Sequence, residues 1–429
     1  MIHTFAIIGG GSAYAPGLLA ALIHQHKKLH LREIRLHDLD QEHLDIVARL
    51  ASRMALAGEA PFSVLATDNL ADAVRGADAV LNSTRPGGLE CRRIDESLPL
   101  EFGIPGQETV GPGGFFFALR SVPAALHLEQ TMATHAPGSV LLNYTNPTNI
   151  VTQALVDAGS GRVRVVGLCD QSDEDMETLA RSANVPHERL SFRCNGLNHA
   201  TWYTDLTLDR QPFRVPLDRL VAPADLNAEH QARFEVSVEM ATRTPGFWPN
   251  SYLPYYEQPQ RFVALAKANG LRSDAIMAQL EGYFDHFREE GNREPPKLAR
   301  HRGTGGFGDL AVRTLLALDA PKSPPLVLNA PNAGRTLEFA NETVVETHVS
   351  LGDERPAEET PPSLPGGSRS LLARLERYQR AAAEAARGSD EKSVIDALAE
   401  NPLVQTRDMA NSLWGAAKHR YGGRIPWLR

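Results

Sequence analysis

The sequence predicts an α/β protein, a doubly wound parallel sheet followed by a mixed α+β C-terminal region. Three observations carry this. Short β-branched runs alternate with helical patterns over the first 170 residues. A glycine-rich turn joins the first strand to the first helix. After residue 200 the alternation becomes irregular. The expected division is therefore 1–170 for the sheet-building half and 171–429 for a mixed domain that completes the site and carries oligomer contacts.

In order, "TFAIIG", "EIRLHDLD", "FSVLATDN", "ADAVLNST", "SVLLNYTN" and "VRVVGLCD" are the candidate strands. The intervening "PGLLAALIHQHKK" has Pro16 near its start and apolar residues at helical spacing, so the first crossover is a helix. Farther on, "AIMAQLEGYFDHFREE" and "GDLAVRTLLALDA" read as helices, and "PLVLNAPN" with "TVVETHVSL" as a strand pair. "GDERPAEETPPSLPGGS" is Pro-, Gly- and Glu-rich and reads as a surface loop before two closing helices.

With 429 residues, 42% of them hydrophobic, the chain can bury a large core. Lys and Arg number 44 against 52 Asp and Glu, a net charge of -8, and no basic run stands out. This argues against nucleic acid or an anionic membrane as the main partner and favours a small molecule. Cys91, Cys169 and Cys194 are odd in number and widely spaced, which suggests neither a disulfide framework nor a zinc ribbon and fits a reducing, cytoplasmic location. The N-terminal apolar run is too short for a membrane span and lacks a basic flank, so no targeting segment is expected.

"IIGGGSAYAPG" is where backbone N–H groups could approach a pyrophosphate at a helix N-terminus. Gly9 and Gly11 match the first two glycines of G-x-G-x-x-G, Ser12 follows them, and Tyr14 takes the third position. Asp38, ending the second strand, is placed to accept from an adenosine ribose hydroxyl. Together they indicate NAD; alone, the glycines could merely permit a tight turn.

The polar stretch from Asn82 to Arg120 gathers Arg85, Arg92, Asp95, Glu96, Gln107 and Glu108 at the carboxyl edge of the sheet, where such folds bind ligands. "NYTNPTNIV" places Asn143 and Asn146 after the fifth strand, either as ligand contacts or as a side-chain-capped turn. "GLCDQS" and "GLNHATW" offer Cys169 and His199, a thiolate and an imidazole that could hold a divalent ion, although spacing alone favours a buried cysteine and a core histidine. "WPNSYLPYYE" offers Tyr252, Tyr255 and Tyr256, which on spacing read as core and surface aromatics.

Taken in order, "GGGS", "RPGGLECRRIDESLPLEFGIPGQETVGPGG", "NYTNP", the cysteine after "GL", "GLNH" and "YLPYY" resemble glycoside hydrolase family 4 over most of the chain. The resemblance implies a Rossmann-like, lactate/malate dehydrogenase-like half, NAD and a divalent metal, typically Mn2+, and a small-molecule, 6-phosphorylated glycoside handled by a homodimer or homotetramer. It makes Cys169 and His199 the metal ligands, Tyr252 the base, Asn146 and Arg92 substrate contacts, and Arg272 the partner of a sugar 6-phosphate; Glu108, from the polar stretch, is counted with the substrate contacts.

The implied chemistry is hydride removal from C3 of the sugar, proton removal from C2 by Tyr252, loss of the aglycone, addition of water and return of the hydride. Asp170 is either the acid for the leaving oxygen or a carboxylate that orients a neighbour. "CDQS" departs from the "CN-x-P" of the β-specific members and the "CD-x-P" of the α-specific ones; "GPGGFFFALR", "RPGGLECRR" and "ENPLV" look more like the β group. A 6-phospho-β-glucosidase is expected, with 6-phospho-α-glucosidase or α-galactosidase as alternatives. From another class, the alternative is an NAD-dependent dehydrogenase of a hydroxy acid or sugar.

Overall fold

Parallel strands alternate with helices as the sequence predicts. In the computed structural model, which describes residues 1–302, 305–351, 363–388 and 390–426, the chain begins β1 (Thr4–Ile8), α1 (Ala15–His24), β2 (Glu33–His37), α2 (Gln41–Ala57), β3 (Ser63–Thr67), α3 (Leu70–Val74) and β4 (Ala79–Asn82). It continues through α4 (Gly88–Glu101), α5 (Gly111–His135), β5 (Val140–Asn143), α6 (Thr148–Ala158), β6 (Arg164–Gly167) and α7 (Gln171–Ser182). The central strands form because their apolar residues bury on both faces: β4 and β5 are buried throughout, whereas β3, at the sheet edge, is largely exposed.

The order β3-β2-β1-β4-β5-β6 runs parallel and reverses direction of growth between β1 and β4. That switch point opens a crevice at the carboxyl ends of the strands, where ligands bind in this topology. Beyond β6 the sheet gains two more strands, β11 (Leu326–Pro331) and β12 (Val344–Val349), both antiparallel to their neighbours. The strand pair expected in the second half thus extends the first sheet.

Between these lie β7 (Leu190–Leu197) and β8 (Ala200–Leu208), an antiparallel hairpin, with the short β9 (Gln211–Pro212) and β10 (Trp248–Pro249) against β8. The helices α8 (Ala228–Arg243), α9 (Pro254–Glu257), α10 (Pro259–Asn269), α11 (Arg272–Glu290) and α12 (Gly305–Asp319) follow around them, and α13 (Arg369–Ala386), α14 (Glu391–Glu400) and α15 (Arg407–Tyr421) close the chain. Residues 352–362 of the expected surface loop lie outside the described residues.

The last helix fixes the crevice wall. Arg120 of α5 and Asp95 of α4 form a buried bidentate pair at 2.7 and 3.1 Å, and the Tyr421 hydroxyl donates to the same carboxylate at 2.5 Å. Arg120 also donates to the carbonyl of Pro86, so the loop leaving β4 is tied to the core. Phe115, Phe116 and Phe117 bury alongside it, each contributing about 1.5–3 kcal/mol. No helix of the described residues is long and apolar enough to cross a membrane.

Candidate active site

One cleft of about 860 Å3 runs along the switch point, and Gly9, Gly11, Ser12, Asp38, Glu108, Asn146, Cys169, Asp170 and Arg272 all line it. The sequence had separated these residues by as many as 263 positions. The fold gathers them because they lie in the turns that follow β1, β2, β5 and β6, in the loop before α5 or at the start of α11, at the same edge.

At one end the glycine loop turns between β1 and α1. Gly9 has φ +92°, and a Cβ there would lie 2.9 Å from the backbone of Ser83, so only glycine lets the loop cross β4. Asp38 accepts the Gly11 N–H at 2.9 Å and the Asp40 N–H at 3.2 Å, which holds its carboxylate at the cleft. The Ser12 hydroxyl is buried and has no hydrogen-bond partner. A tight glycine turn at a helix start, an unpartnered hydroxyl and a carboxylate one strand away fit a dinucleotide. Tyr14, at the third motif position, packs against Phe307 and beneath the Arg302 guanidinium, 4.7 Å from its ring centre.

At the other end Cys169 follows β6, and His199 sits at the tip of the β7–β8 hairpin, where Leu197 pairs with Ala200. The Cys169 sulfur and His199 Nε2 are 3.5 Å apart and both residues are buried. His199 has φ +62°, a left-handed conformation uncommon for a non-glycine residue and kept where the surroundings enforce it. Burial, reinforced by the Arg233 charge, holds the imidazole down to about 3, so it is a neutral lone-pair donor. Burial also pushes the Cys169 thiol up. A neutral imidazole beside a sulfur is a donor set for a borderline divalent ion. Among the described residues no group of three or more His, Cys, Asp or Glu forms a metal cage, so such an ion would keep open positions.

Tyr252 stacks on His199 with ring centres 4.1 Å apart, and the Arg233 guanidinium lies 4.2 Å from the same ring. Burial pushes its phenol up to about 12, against the opposing pull of Arg233 and Arg272. Tyr255 and Tyr256 are different: Tyr255 hydrogen-bonds Glu229 and packs on Phe262, and Tyr256 packs against the core. Asp170 stands at the start of α7 without a side-chain capping bond, and burial with the neighbouring Glu174 charge pushes its carboxyl up to about 7.

Glu108 lies between Arg85 and Arg92; Arg92 reaches it at 2.9 Å and binds Glu96 at 2.7 Å. Burial alone would raise Glu108, but the two guanidiniums hold it at about 2. Arg92 is itself buried beneath the cleft, engaged by two carboxylates. Glu96 in turn accepts the N–H of Ser273 at 2.8 Å and so anchors the first turn of α11, where Arg272 projects beside His230 at 3.4 Å.

Asn143 and Asn146 part ways. Asn143 is wholly buried and bonds Asn82, Thr145 and Thr152, while Asn146 lines the cleft. Arg302 lines the cleft, and Arg233, His230 and Glu346 stand behind it against Tyr252, Arg272 and Asn198, without any motif to announce them; each sits in ordinary helical, loop or strand sequence. Only the position of Arg233, 18 residues before Ser251, whose carbonyl it binds at 2.7 Å, ties one of them to "YLPYY".

A nucleotide-binding half joined to a Cys/His pair and a stacked tyrosine defines a redox-assisted enzyme site. Residues 4–185 match the model of the family 4 glycosyl hydrolases and residues 194–404 match that of the family 4 glycosyl hydrolase C-terminal domain. The chain belongs to glycosyl hydrolase family 4.

It is 29% identical over 418 residues to the Probable 6-phospho-beta-glucosidase of Bacillus subtilis (strain 168), covering 95% of this chain and 93% of that one. It is 32% identical over 291 residues to 6-phospho-alpha-glucosidase 1 of Lacticaseibacillus paracasei, covering 65% and 66%. A 6-phospho-alpha-glucosidase from gut microorganisms, crystallised with NAD and Mn2+, superposes with a TM-score of 0.90 at 23% identity over the whole of both chains, which shows a common fold. The malate dehydrogenase of Cryptosporidium parvum matches with a TM-score of 0.54 at 13% identity over 91% of this chain and 100% of that one.

Proposed function

We propose that this family 4 enzyme hydrolyses 6-phosphorylated β-glucosides with NAD and a divalent metal, Mn2+ or a similar ion, as cofactors. The observation that carries the reading is that one cleft joins the glycine loop and Asp38 to the Cys169–His199 pair with Tyr252 behind it. Relatives named as 6-phosphoglucosidases and a neighbour crystallised with NAD and Mn2+ support it. NAD held by Gly9, Gly11, Ser12 and Asp38 supplies a reversible hydride sink, and an ion held by Cys169 and His199 supplies Lewis acidity.

Tyr252 is the base that takes the proton from C2 of the sugar, a route outside the two-carboxylate scheme of most glycosidases. Arg233 and Arg272 favour its phenolate, which is what a base of ordinary value near 10 requires. Asp170, held near 7, keeps a proton to deliver to the leaving glycosidic oxygen. Arg272 at the cleft rim offers the 6-phosphate a forked partner, and Asn146 and Glu108 offer the sugar hydroxyls an amide and a carboxylate. Arg92 supports Glu108 from below.

A second reading, the α-anomer, is favoured by Asp170 directly following Cys169. A cytoplasmic location is part of the proposal, supported by three buried cysteines that are all free. So is a homodimer or homotetramer, whose size light scattering reads. The division of labour between 1–170 and 171–429 belongs to it as well, with Cys169 and His199 on either side of the boundary.

The test is a panel of α and β nitrophenyl glucosides and galactosides, with and without 6-phosphate, assayed with NAD+ and Mn2+ under reducing conditions. Aglycone release from the β-glucoside 6-phosphate without net NADH supports the proposal. Stoichiometric NADH without aglycone would establish a dehydrogenase instead.

A further inference from the structure

We propose that Glu346 is a positioning residue that sets the Cys169–His199 pair by holding both ligand-bearing segments through one carboxylate. The inference rests on the metal reading above and deepens it. Glu346 stands on β12, away from the cleft lining, and is wholly buried. Its Oε1 accepts from Asn198 Nδ2 at 2.7 Å and from Asn329 Nδ2 at 3.2 Å, and its Oε2 accepts from the Thr201 hydroxyl.

These donors belong to two segments that share no strand. Asn198 precedes His199 and Thr201 follows two residues later, so the carboxylate grips the hairpin tip on both sides of the ligand. That grip is what a histidine in left-handed backbone requires, since the conformation persists only where neighbours enforce it. Asn329 lies on β11 opposite Gly167, the last residue of β6, two positions before Cys169. A Cβ on Gly167 would stand 2.7 Å from the Asn329 Cβ, so the glycine is what lets Asn329 close against the segment that delivers the thiol.

The chemistry of the residue points past packing. Burying a carboxylate among neutral donors is costly, and an amide or an apolar side chain would hold a strand at less expense. A carboxylate accepts all three hydrogen bonds, which oppose the burial that pushes it up, and when ionised it also places negative charge beside a cation site. Carboxylates one step behind metal ligands orient those ligands and raise affinity.

The test titrates Co2+ into the full-length protein and reads the thiolate-to-cobalt absorption, alongside NAD binding by tryptophan fluorescence. Glu346→Gln is expected to weaken Co2+ affinity by about ten- to a hundredfold, and Thr201→Val by a smaller factor, with NAD affinity unchanged in both. Unchanged Co2+ affinity in both variants overturns the inference, as does an equal loss of Co2+ and NAD binding. If Glu346→Gln does not fold, Thr201→Val decides by the same criteria. A wild-type protein without the absorption removes the metal reading itself, and the inference with it, which separates the two failures.

Discussion

Arg233 holds its guanidinium 4.2 Å from the ring centre of Tyr252, the same ring that stacks on His199. The contact places a fixed positive charge on the phenol that the reaction needs as phenolate. It opposes the burial that pushes Tyr252 up to about 12. Arg233→Met is therefore expected to lower kcat, by about tenfold or more on the scale of a cation–π contact and a weakened general base, with a smaller change in KM. Arg233→Lys should retain more activity than Arg233→Met. Steady-state kinetics on a chromogenic glucoside 6-phosphate check this; equal kcat in all three proteins contradicts it.

Arg272 begins α11 at the cleft rim, and the Glu96 carboxylate that accepts the Ser273 N–H anchors that turn. Arg272→Ala should raise KM for 6-phosphorylated substrates by about 10–100-fold, the worth of a hydrogen bond to a charged group. Its effect on non-phosphorylated analogues should be small. Competitive inhibition by glucose 6-phosphate should weaken in parallel, and an unchanged preference for phosphorylated substrates would refute the assignment.

Asp170 is tested by leaving group. Its carboxyl is pushed up to about 7 by burial and the Glu174 charge. If it delivers the proton, Asp170→Asn should lose far more activity on a poor, alkyl leaving group than on nitrophenol, about 10²–10⁴-fold being the range of general acid catalysis. Equal losses on both would leave it an orienting carboxylate.

Acid should loosen the cleft through two groups. Glu108 is held at about 2, below its ordinary 4.5, because Arg85 and Arg92 overcome its burial. A depressed carboxylate stabilises the fold above pH 4.5, and that contribution is lost as pH falls toward 2. Burial first, and then Arg233 and Arg272, depress His230 to about 4 from 6.5, so the unfolded chain takes up its proton first and stability declines between pH 6.5 and 4. Thermal melts from pH 7 to 2 should show a falling Tm, less steeply between pH 6.5 and 4 in His230→Asn. A parallel curve in that variant contradicts the account.

The buried Arg120–Asp95 pair gives a stability test. Asp95→Ala strands a guanidinium that is 2% exposed and removes the acceptor of Tyr421. The expected loss is about 3–5 kcal/mol, read by chemical denaturation. A change below about 1 kcal/mol, the scale of a surface pair, would contradict the burial argument.

What the sequence made legible follows from locality. The strands β1 to β6 are short apolar runs whose periodicity is a local property, and the glycine loop, Asp38 and Asn146 are tied to strand ends, so their common edge follows from the topology. The Cys169–His199 pair was legible only through the order of motifs, since thirty residues of spacing carry no geometry. The structure adds 3.5 Å between them and a hairpin that places His199 at its tip. Glu346, Arg233 and Arg302 had no local signature: their roles depend on β12, α8 and a loop coming from distant parts of the chain. Asn143 shows the converse, a residue of the same motif as Asn146 whose side chain is buried and ties β5 to β4 and to the start of α6.

The central claim is proton removal at C2 beside a transiently oxidised carbon. Turnover of a β-glucoside 6-phosphate in D2O, with NAD+ and Mn2+, should yield glucose 6-phosphate carrying deuterium at C2, read by NMR or mass spectrometry. Product formed at full rate with C2 entirely protiated would contradict the account.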